Sequence, residues 1–247
     1  MFTNTIDPTE KSPAFSPMKR VMVRNALLNG LPPEEWAAIV PRLRSTSFPR
    51  NAILREQRRP LETIGFIESG LVSLRRLSGE SSIEIALVGP QGVLGASVLL
   101  GPRNSLYHSV AVTAGSLLTI GVDEFLAVIG DCPRLGERVL GYVHGLLLNS
   151  SQIALCGMRH PLEQRLAGWI CYASETLGNS PIPVTQHYLS TVLGLRRAGV
   201  TEALIKFEHE ELITRARGTL RIRNGELLRQ RACCCHSRRA EDRGTSS

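Results

Sequence analysis

The stretch VTQHYLSTVLGLRRAGVTEALIKFEHEELI, Val184 to Ile213, decides how the rest of the chain is read. Its apolar residues recur at helical spacing on both sides of one glycine, which describes two short helices meeting at a tight corner. Thr185 suits the N-cap of a first helix over Gln186 to Leu193, because its side-chain oxygen can accept a backbone N–H left over at a helix start. Leu189, Val192 and Leu193 form the apolar contacts of that helix. Gly194 supplies the left-handed backbone the corner needs, without the steric cost a Cβ would add. Leu195 then plugs the space between the helices. The second helix, Arg196 to Glu210, carries Val200, Ala203, Leu204 and Phe207 on one stripe and Arg197, Thr201, Glu202 and Lys206 on the other. Such a helix can lie in a major groove, where an arginine near its start donates two bonds to guanine O6 and N7.

Beyond it, LITRARGTLRIR, from Leu212, reads as a two-stranded hairpin turning at Gly218. Arg215, Arg217, Arg221 and Arg223 on that hairpin would sit beside phosphates, completing a winged helix-turn-helix. Net charge is +7, and residues 184–247 hold 12 Lys/Arg against 7 Asp/Glu. The last quarter of the chain therefore carries most of the excess, as a nucleic-acid-binding domain would. Arg229, Arg231, Arg238, Arg239 and Arg243 allow a second reading, a basic tail on a helical hairpin with a solvated charged face.

Upstream, the periodicity changes twice. LPPEEW opens a short helix, with prolines and acids ahead of Trp36, Ile39 and Val40. From Ser47 to about Val122, short apolar runs are split by glycine, proline and serine, as in ETIGFIESG, LVSLRRLSGESSIEIALVGPQG and HSVAVTAGSLLTIG. This spacing fits an antiparallel roll of short strands. From Pro133, the residues Leu135, Val139, Tyr142, Leu146, Asn149, Ile153 and Cys156 alternate by four and three. That is a heptad seam, and it predicts a long helix pairing with a second copy of itself, with Asn149 fixing the register. An ordinary helix buried within one chain is the other reading. The fold class is accordingly α+β: a jelly-roll-like antiparallel β-roll, a long dimerisation helix and a winged helix-turn-helix. The expected segments are a disordered leader over 1–23, the roll over 24–132, the helix over 133–160, the DNA-binding head over 161–228 and a flexible basic tail over 229–247.

Several functional classes find no support. No nucleophile–base–acid order, phosphate loop or GxGxxG accompanies a strand, so the chain is not read as an enzyme. The six cysteines lack a disulfide framework's spacing. Cys233, Cys234, Cys235 and His236 read as a frayed tail, since neighbours on an extended segment do not readily converge on one ion. His108, His144, His160, His187, His209 and His236 show no metal-ligand spacing, so no metal is expected. No apolar run is long enough to cross a bilayer, and the N-terminus lacks the apolar core of a secretion signal. The expected location is the cytoplasm, away from membranes.

The order of roll, heptad helix and winged helix-turn-helix resembles the Crp/Fnr family of bacterial transcription regulators, from about Asn25 to Leu228. GFIESGLVSL is similar to the family's strand-turn-strand, GPQGVLGASVLLG to its phosphate-cassette region and VTQHYLSTVLGLRRAGVTEAL to its helix-turn-helix. The resemblance implies a homodimer on an inverted repeat of double-stranded DNA, a sensory roll, and RNA polymerase as a partner. Within it, Thr185, Gln186 and His187 match phosphate contacts, Arg196 meets backbone phosphate and Arg197 is the base-reading candidate. Glu202 either accepts from cytosine N4 or pairs with Lys206. Ala198, Thr201 and Glu202 depart from the family's reading residues, which implies a different half-site. The ligand pocket would involve Gly92, Val93, Leu94, Gly95 and Arg103. Val93 stands where cyclic-nucleotide-binding members keep a glutamate that holds the ribose, and no arginine stands in register near Ser105–His108, so cyclic AMP is not expected. The N-terminus has no cysteine before Cys132, so the family's iron–sulfur cluster is not expected either. The signal is left as a ligand, a redox change or none. The rival assignment is a cyclic-nucleotide- or small-ligand-binding module acting through a protein partner.

Overall fold

A computed structural model describes residues 23–233 and 235. The leader, Val23 apart, and the tail beyond Cys235 lie outside the described residues. Two short helices, α1 (Ala26–Asn29) and α2 (Pro33–Ile39), precede eight strands: β1 (Arg44–Phe48), β2 (Ile53–Arg55), β3 (Thr63–Ser69), β4 (Val72–Ser78), β5 (Ser81–Val88), β6 (Val93–Leu94), β7 (His108–Ala111) and β8 (Gly115–Gly121). They form two four-stranded antiparallel sheets, ordered β1-β8-β3-β6 and β2-β7-β4-β5. This is the roll expected from the glycine-punctuated apolar runs. The β3–β4 turn requires a glycine: Gly70 has φ +89°, and a Cβ there would lie 2.7 Å from the Ala114 carbonyl oxygen.

The space between the sheets is filled by Phe48, Ile67, Val72, Leu74, Leu94 and Leu117. The other face of the β1-β8-β3-β6 sheet packs under α1, α2, α3 (Val122–Ile129) and the start of α4 (Pro133–Arg159), where the rings of Phe66 and Phe125 lie 6.3 Å apart. Each such fully buried side chain contributes roughly 1.5–3 kcal/mol. The start of α4 is held from α2. The buried Glu35 carboxylate accepts from the backbone N–H of Arg134 at 3.0 Å and of Leu135 at 2.9 Å. Negative charge is thus placed at the positive end of the helix, where two N–H groups lack intrahelical partners.

The phase of α4 corrects the expected dimer seam. Leu135 and Val139 are completely buried in the chain's own core, Tyr142 and Leu146 pack on the roll, and Asn149 donates to the Ile85 carbonyl at 2.7 Å. Ile153 and Cys156 turn toward the C-terminal domain. These residues cover the molecule's own apolar surface and are not available to a partner. A second stripe points outward: Leu140, His144, Leu147, Ser151, Ala154 and Met158 also alternate by four and three and are exposed, Leu147 at 59% and Met158 at 77%. Leu148 and Leu155 flank it. Apolar on both faces, α4 is long and apolar enough to cross a membrane by length and composition. Its inner face is buried against the roll.

The C-terminal domain comprises α5 (Leu162–Thr176), α6 (Gln186–Leu193), α7 (Arg197–His209), the hairpin β9 (Ile213–Ala216) and β10 (Thr219–Ile222), and α8 (Gly225–Arg231). Its core gathers Leu166, Ile170, Leu189, Leu204, Phe207 and Leu228. The flexible tail expected from residue 229 is corrected here. Asn224 caps α8 by accepting from the Leu227 N–H, and Leu228 is fully buried. Arg229 pairs with Glu175 at 3.3 Å and Arg231 with Glu210 at 2.9 Å. Cys233 and Cys235 are buried.

The two domains meet on a buried carboxylate. Glu84 of β5 accepts from Ser73 Oγ at 2.6 Å within the roll, and from Trp169 Nε1 of α5 at 2.6 Å and Tyr188 Oη of α6 at 3.3 Å across the junction. Arg75 of β4 stacks over the Tyr188 ring at 5.1 Å and bonds Ser73 Oγ. Around this centre, Tyr172 Oη donates to the Leu87 carbonyl and Arg50 to the Pro183 carbonyl. Complete burial raises the Glu84 pKa to about 7, against the opposing pull of the Ser73, Trp169 and Tyr188 bonds and the Arg75 charge. The docked carboxyl therefore holds its proton more tightly than an exposed one. Below the ordinary carboxyl range both forms are protonated and docking is at full strength. As pH rises toward 7 the undocked form ionises first, and about 3 kcal/mol of docking is lost. Thermal midpoints of wild type and Glu84→Gln, measured across this window, should diverge, with the wild type falling and the variant flat. Parallel pH profiles would contradict the assignment.

Candidate nucleic-acid interface

The corner between α6 and α7 is built as its residue types require. Thr185 Oγ1 accepts from the Tyr188 N–H at 3.1 Å, Gly194 sits at φ 61°, ψ 42°, and the Leu195 N–H closes on the Ser190 carbonyl at 2.8 Å. Val200, Ala203, Leu204 and Phe207 bury one side of α7. On its outward side, Arg196, Arg197, Ala198 and Glu202 are exposed at the helix start and first turns. The wing turns through Arg217 and Gly218, both at positive φ (40° and 78°), in register Ala216↔Thr219. That is the mirror-type two-residue hairpin turn, whose twist matches the strands. Arg217, Arg221 and Arg223 are exposed on the wing or just beyond it.

Four of the expected contact residues are engaged elsewhere. Lys206 pairs with Glu163 of α5 at 2.8 Å, which also settles Glu202's alternative: Lys206 is not its i+4 partner. Arg215 places Nε and Nη2 on Glu208 Oε2 at 3.0 and 2.6 Å, while its backbone N–H meets Oε1. The Arg215 guanidinium holds the Glu208 carboxyl below its usual range, and the pair fastens the wing to the recognition helix. Thr201 Oγ1 lies 3.0 Å from both Gln186 Oε1 and the Arg197 carbonyl, so Gln186 and Thr201 tie α6 to α7. Thr185 and His187 remain exposed at the front of α6. The exposed cations left at this surface are Arg196, Arg197, Arg217, Arg221 and Arg223. Sequence reasoning missed Ile205, which is 53% exposed on the outward face of α7. Its signal was an isoleucine lying off the buried stripe.

The expected ligand pocket is corrected too. Val93 and Leu94 are neighbours on β6, so their side chains leave opposite faces of the sheet and enter different cores. A Cβ on Gly92 would lie 2.9 Å from the Tyr142 ring, so α4 fills the space over the cassette. Gly95 turns the chain at φ 87°. Arg103 is half-exposed and paired with Asp123 at 2.5 Å. These five residues do not line one site. The buried guanidinium of the roll is Arg55, which donates to the Leu54 carbonyl and to Thr63 O and Oγ1. A cavity of ≈ 60 Å³ lies instead where the roll, α4 and the head meet, lined by Glu84, Asn149, Ile153, Arg165, Trp169 and Leu193 among others. It has room for a few water molecules.

At the far end of this junction, Cys156, His160, Cys233 and Cys235 place one ligand atom each within 4.8 Å of one another. The frayed-tail reading of the cysteines and the absence of histidine–cysteine ligand spacing both fail for these residues. Cys234 and His236 lie outside the described residues.

Two family models match this chain: a cyclic nucleotide-binding domain over residues 45–132 and a Crp-like helix-turn-helix domain over residues 164–231. Among curated proteins, it is 21% identical to the CRP-like cAMP-activated global transcriptional regulator of Mycobacterium tuberculosis, over 87% of this chain and all of that one. It is 22% identical to the cyclic AMP receptor protein of Thermus thermophilus, over 85% of this chain and 97% of that one. Among solved structures, FixK2 from Bradyrhizobium japonicum superimposes with a TM-score of 0.66 at 14% identity, covering 78% of this chain and 98% of its own. The regulator CLP of Xanthomonas campestris, described as responsive to c-di-GMP, gives 0.64 at 14%, covering 76% and 98%. The matched models flank the long helix in the order roll, helix, head, and the chain belongs to the Crp/Fnr family of transcriptional regulators.

Proposed function

We propose that the protein is a cytoplasmic homodimer that binds an inverted repeat in double-stranded DNA and regulates transcription there, without enzymatic activity. The observation that carries this reading is the exposed start of α7, where Arg196 and Arg197 project from a corner fixed by Gly194 and Leu195. Arg197 reads guanine, Arg196 and the wing arginines meet phosphate, and Glu202 accepts from cytosine N4. Ile205 is placed to touch a thymine methyl if the helix lies deep in the groove. The dimer forms through the outward stripe of α4, which sets the two recognition helices on half-sites about 34–36 Å apart. RNA polymerase is the partner that family membership adds.

The relatives' names include cyclic AMP, but we read this roll as not binding it. Val93 is apolar and committed to the core, and Arg103 is engaged with Asp123. A ribose hydroxyl and a cyclic phosphate would lose their strongest partners.

Four outcomes test this reading. Arg197→Ala should lose about 1–3 kcal/mol of preference for the correct base pair while nonspecific affinity holds; unchanged discrimination between matched and mismatched duplexes would contradict it. Affinity should fall steeply with salt, log K dropping by roughly 0.9 per phosphate contact per decade, and a salt-insensitive complex would favour a protein partner instead. Leu147→Asp should sediment as a folded monomer, whereas Leu146→Asp should lower the thermal midpoint, because Leu146 packs on the chain's own roll. A dimeric Leu147→Asp would place the interface elsewhere. Calorimetric titration with cyclic AMP should give no binding heat, and stoichiometric binding would overturn the pocket assignment.

A further inference from the structure

We propose that Cys156, His160, Cys233 and Cys235 form a tetrahedral Cys3His centre for one thiophilic divalent ion, zinc, which staples the end of the chain's C-terminal domain to the end of α4. Two residues come from α4 and its C-cap, four positions apart, and two from the segment after α8. Cys156 Sγ lies 3.8 Å from Cys233 Sγ, and Cys235 Sγ lies 3.7 Å from His160 Nδ1. A zinc ion with bonds of about 2.3 Å to sulfur and 2.0–2.1 Å to nitrogen spans tetrahedral edges of about 3.6–3.8 Å. Two donor pairs already stand at those separations, and all four donors lie within 4.8 Å of one another, so a small inward shift closes them on one ion. A multi-iron cluster, whose thiolates sit on different metal atoms, needs wider spacing than the 4.8 Å that encloses all four donors.

The surroundings point the same way. Gln152, one turn before Cys156, directs its amide Nε2 to Cys235 Sγ at 2.8 Å and toward Cys156 Sγ at 3.8 Å. An N–H donor aimed at two sulfurs suits thiolates, which accept such bonds far better than thiols, and it is the kind of outer contact that orients metal ligands. On binding, three thiols lose their protons to solvent and the neutral imidazole keeps its own on the other nitrogen. Zinc with three thiolates leaves a net charge of −1, which a buried position tolerates only beside a cation. Arg165 supplies it: its guanidinium interacts electrostatically with Cys156 and Cys233 and donates to the Leu193 carbonyl at 2.7 Å, next to the Gly194 corner. The centre therefore braces α4 against α8 and, through Arg165, reaches the end of α6. The three sulfurs are buried and His160 is partly exposed, giving an ion entry from the His160 side.

The test uses the full-length chain, prepared under reducing conditions and freed of metal with a chelator. Titration with cobalt(II) should give the visible bands of a tetrahedral ion together with thiolate-to-cobalt charge transfer in the near ultraviolet, saturating at one ion per chain and erased by zinc. Gln152→Leu should weaken affinity about tenfold or more, and Cys156→Ser and Cys233→Ser should each diminish the charge-transfer band. Cys171→Ala, a buried cysteine outside the cluster, should leave it intact. Circular dichroism checks that the serine variants fold, and the wild-type spectrum stands without them. An octahedral cobalt spectrum, no stoichiometric binding, full charge transfer in folded Cys156→Ser and Cys233→Ser, or a metal-free protein with Cys156 and Cys233 joined in a disulfide would each overturn the proposal.

Discussion

One helix has more apolar circumference than the described residues cover, and much of the molecule follows from that. Spanning 27 residues, α4 is roughly 40 Å long at 1.5 Å per residue. Its inner stripe completes the core of the roll at Leu135 and Val139 and reaches the C-terminal domain at Cys156. Its outer stripe, Leu140 to Met158, has no cover from the described residues. In the proposed dimer, a second copy presenting the same stripe would supply that cover with two-fold symmetry. Glu35 fixes where the helix begins, so the roll and the seam share one rigid element.

The DNA-binding head is held to the roll by an apolar seam that includes Leu71, Leu87 and Val112 and by polar contacts. Glu84 gathers Trp169 and Tyr188 into a single buried carboxyl site, and the cysteine–histidine cluster closes the opposite end of the junction. One can gain or lose a proton, and the other is the proposed ion site. The buried carboxyl and the cysteine–histidine cluster lie between the domains, whereas the cassette segment Gly92–Gly95 is filled by the chain's own side chains.

The sequence made the head legible because its signals are local. A threonine cap, a left-handed glycine and one apolar stripe lie within 25 residues of one another and dictate the corner without help from elsewhere. The roll was legible for a similar reason, from turn glycines between short apolar runs. The phase of α4 was not. Its two stripes interleave with the same four-three alternation, so periodicity finds the helix yet cannot say which stripe faces inward; that depends on the roll. Lys206 and Arg215 were misjudged because their partners, Glu163 and Glu208, are matched only in three dimensions. The cysteine–histidine cluster was hidden by the 77 positions from Cys156 to Cys233. Its local traces were the i, i+4 pair of Cys156 and His160 and the cysteine run at Cys233–Cys235, and neither shows that the two meet.

The central claim is that two of these heads, joined through α4, read symmetric DNA. Selection of bound duplexes from a random pool by the purified full-length protein tests it most directly. The account predicts enrichment of an inverted repeat, with half-site centres about one helical turn apart and a guanine at the position lost in Arg197→Ala. Enrichment of a single non-palindromic site, or of no site at all, would contradict it.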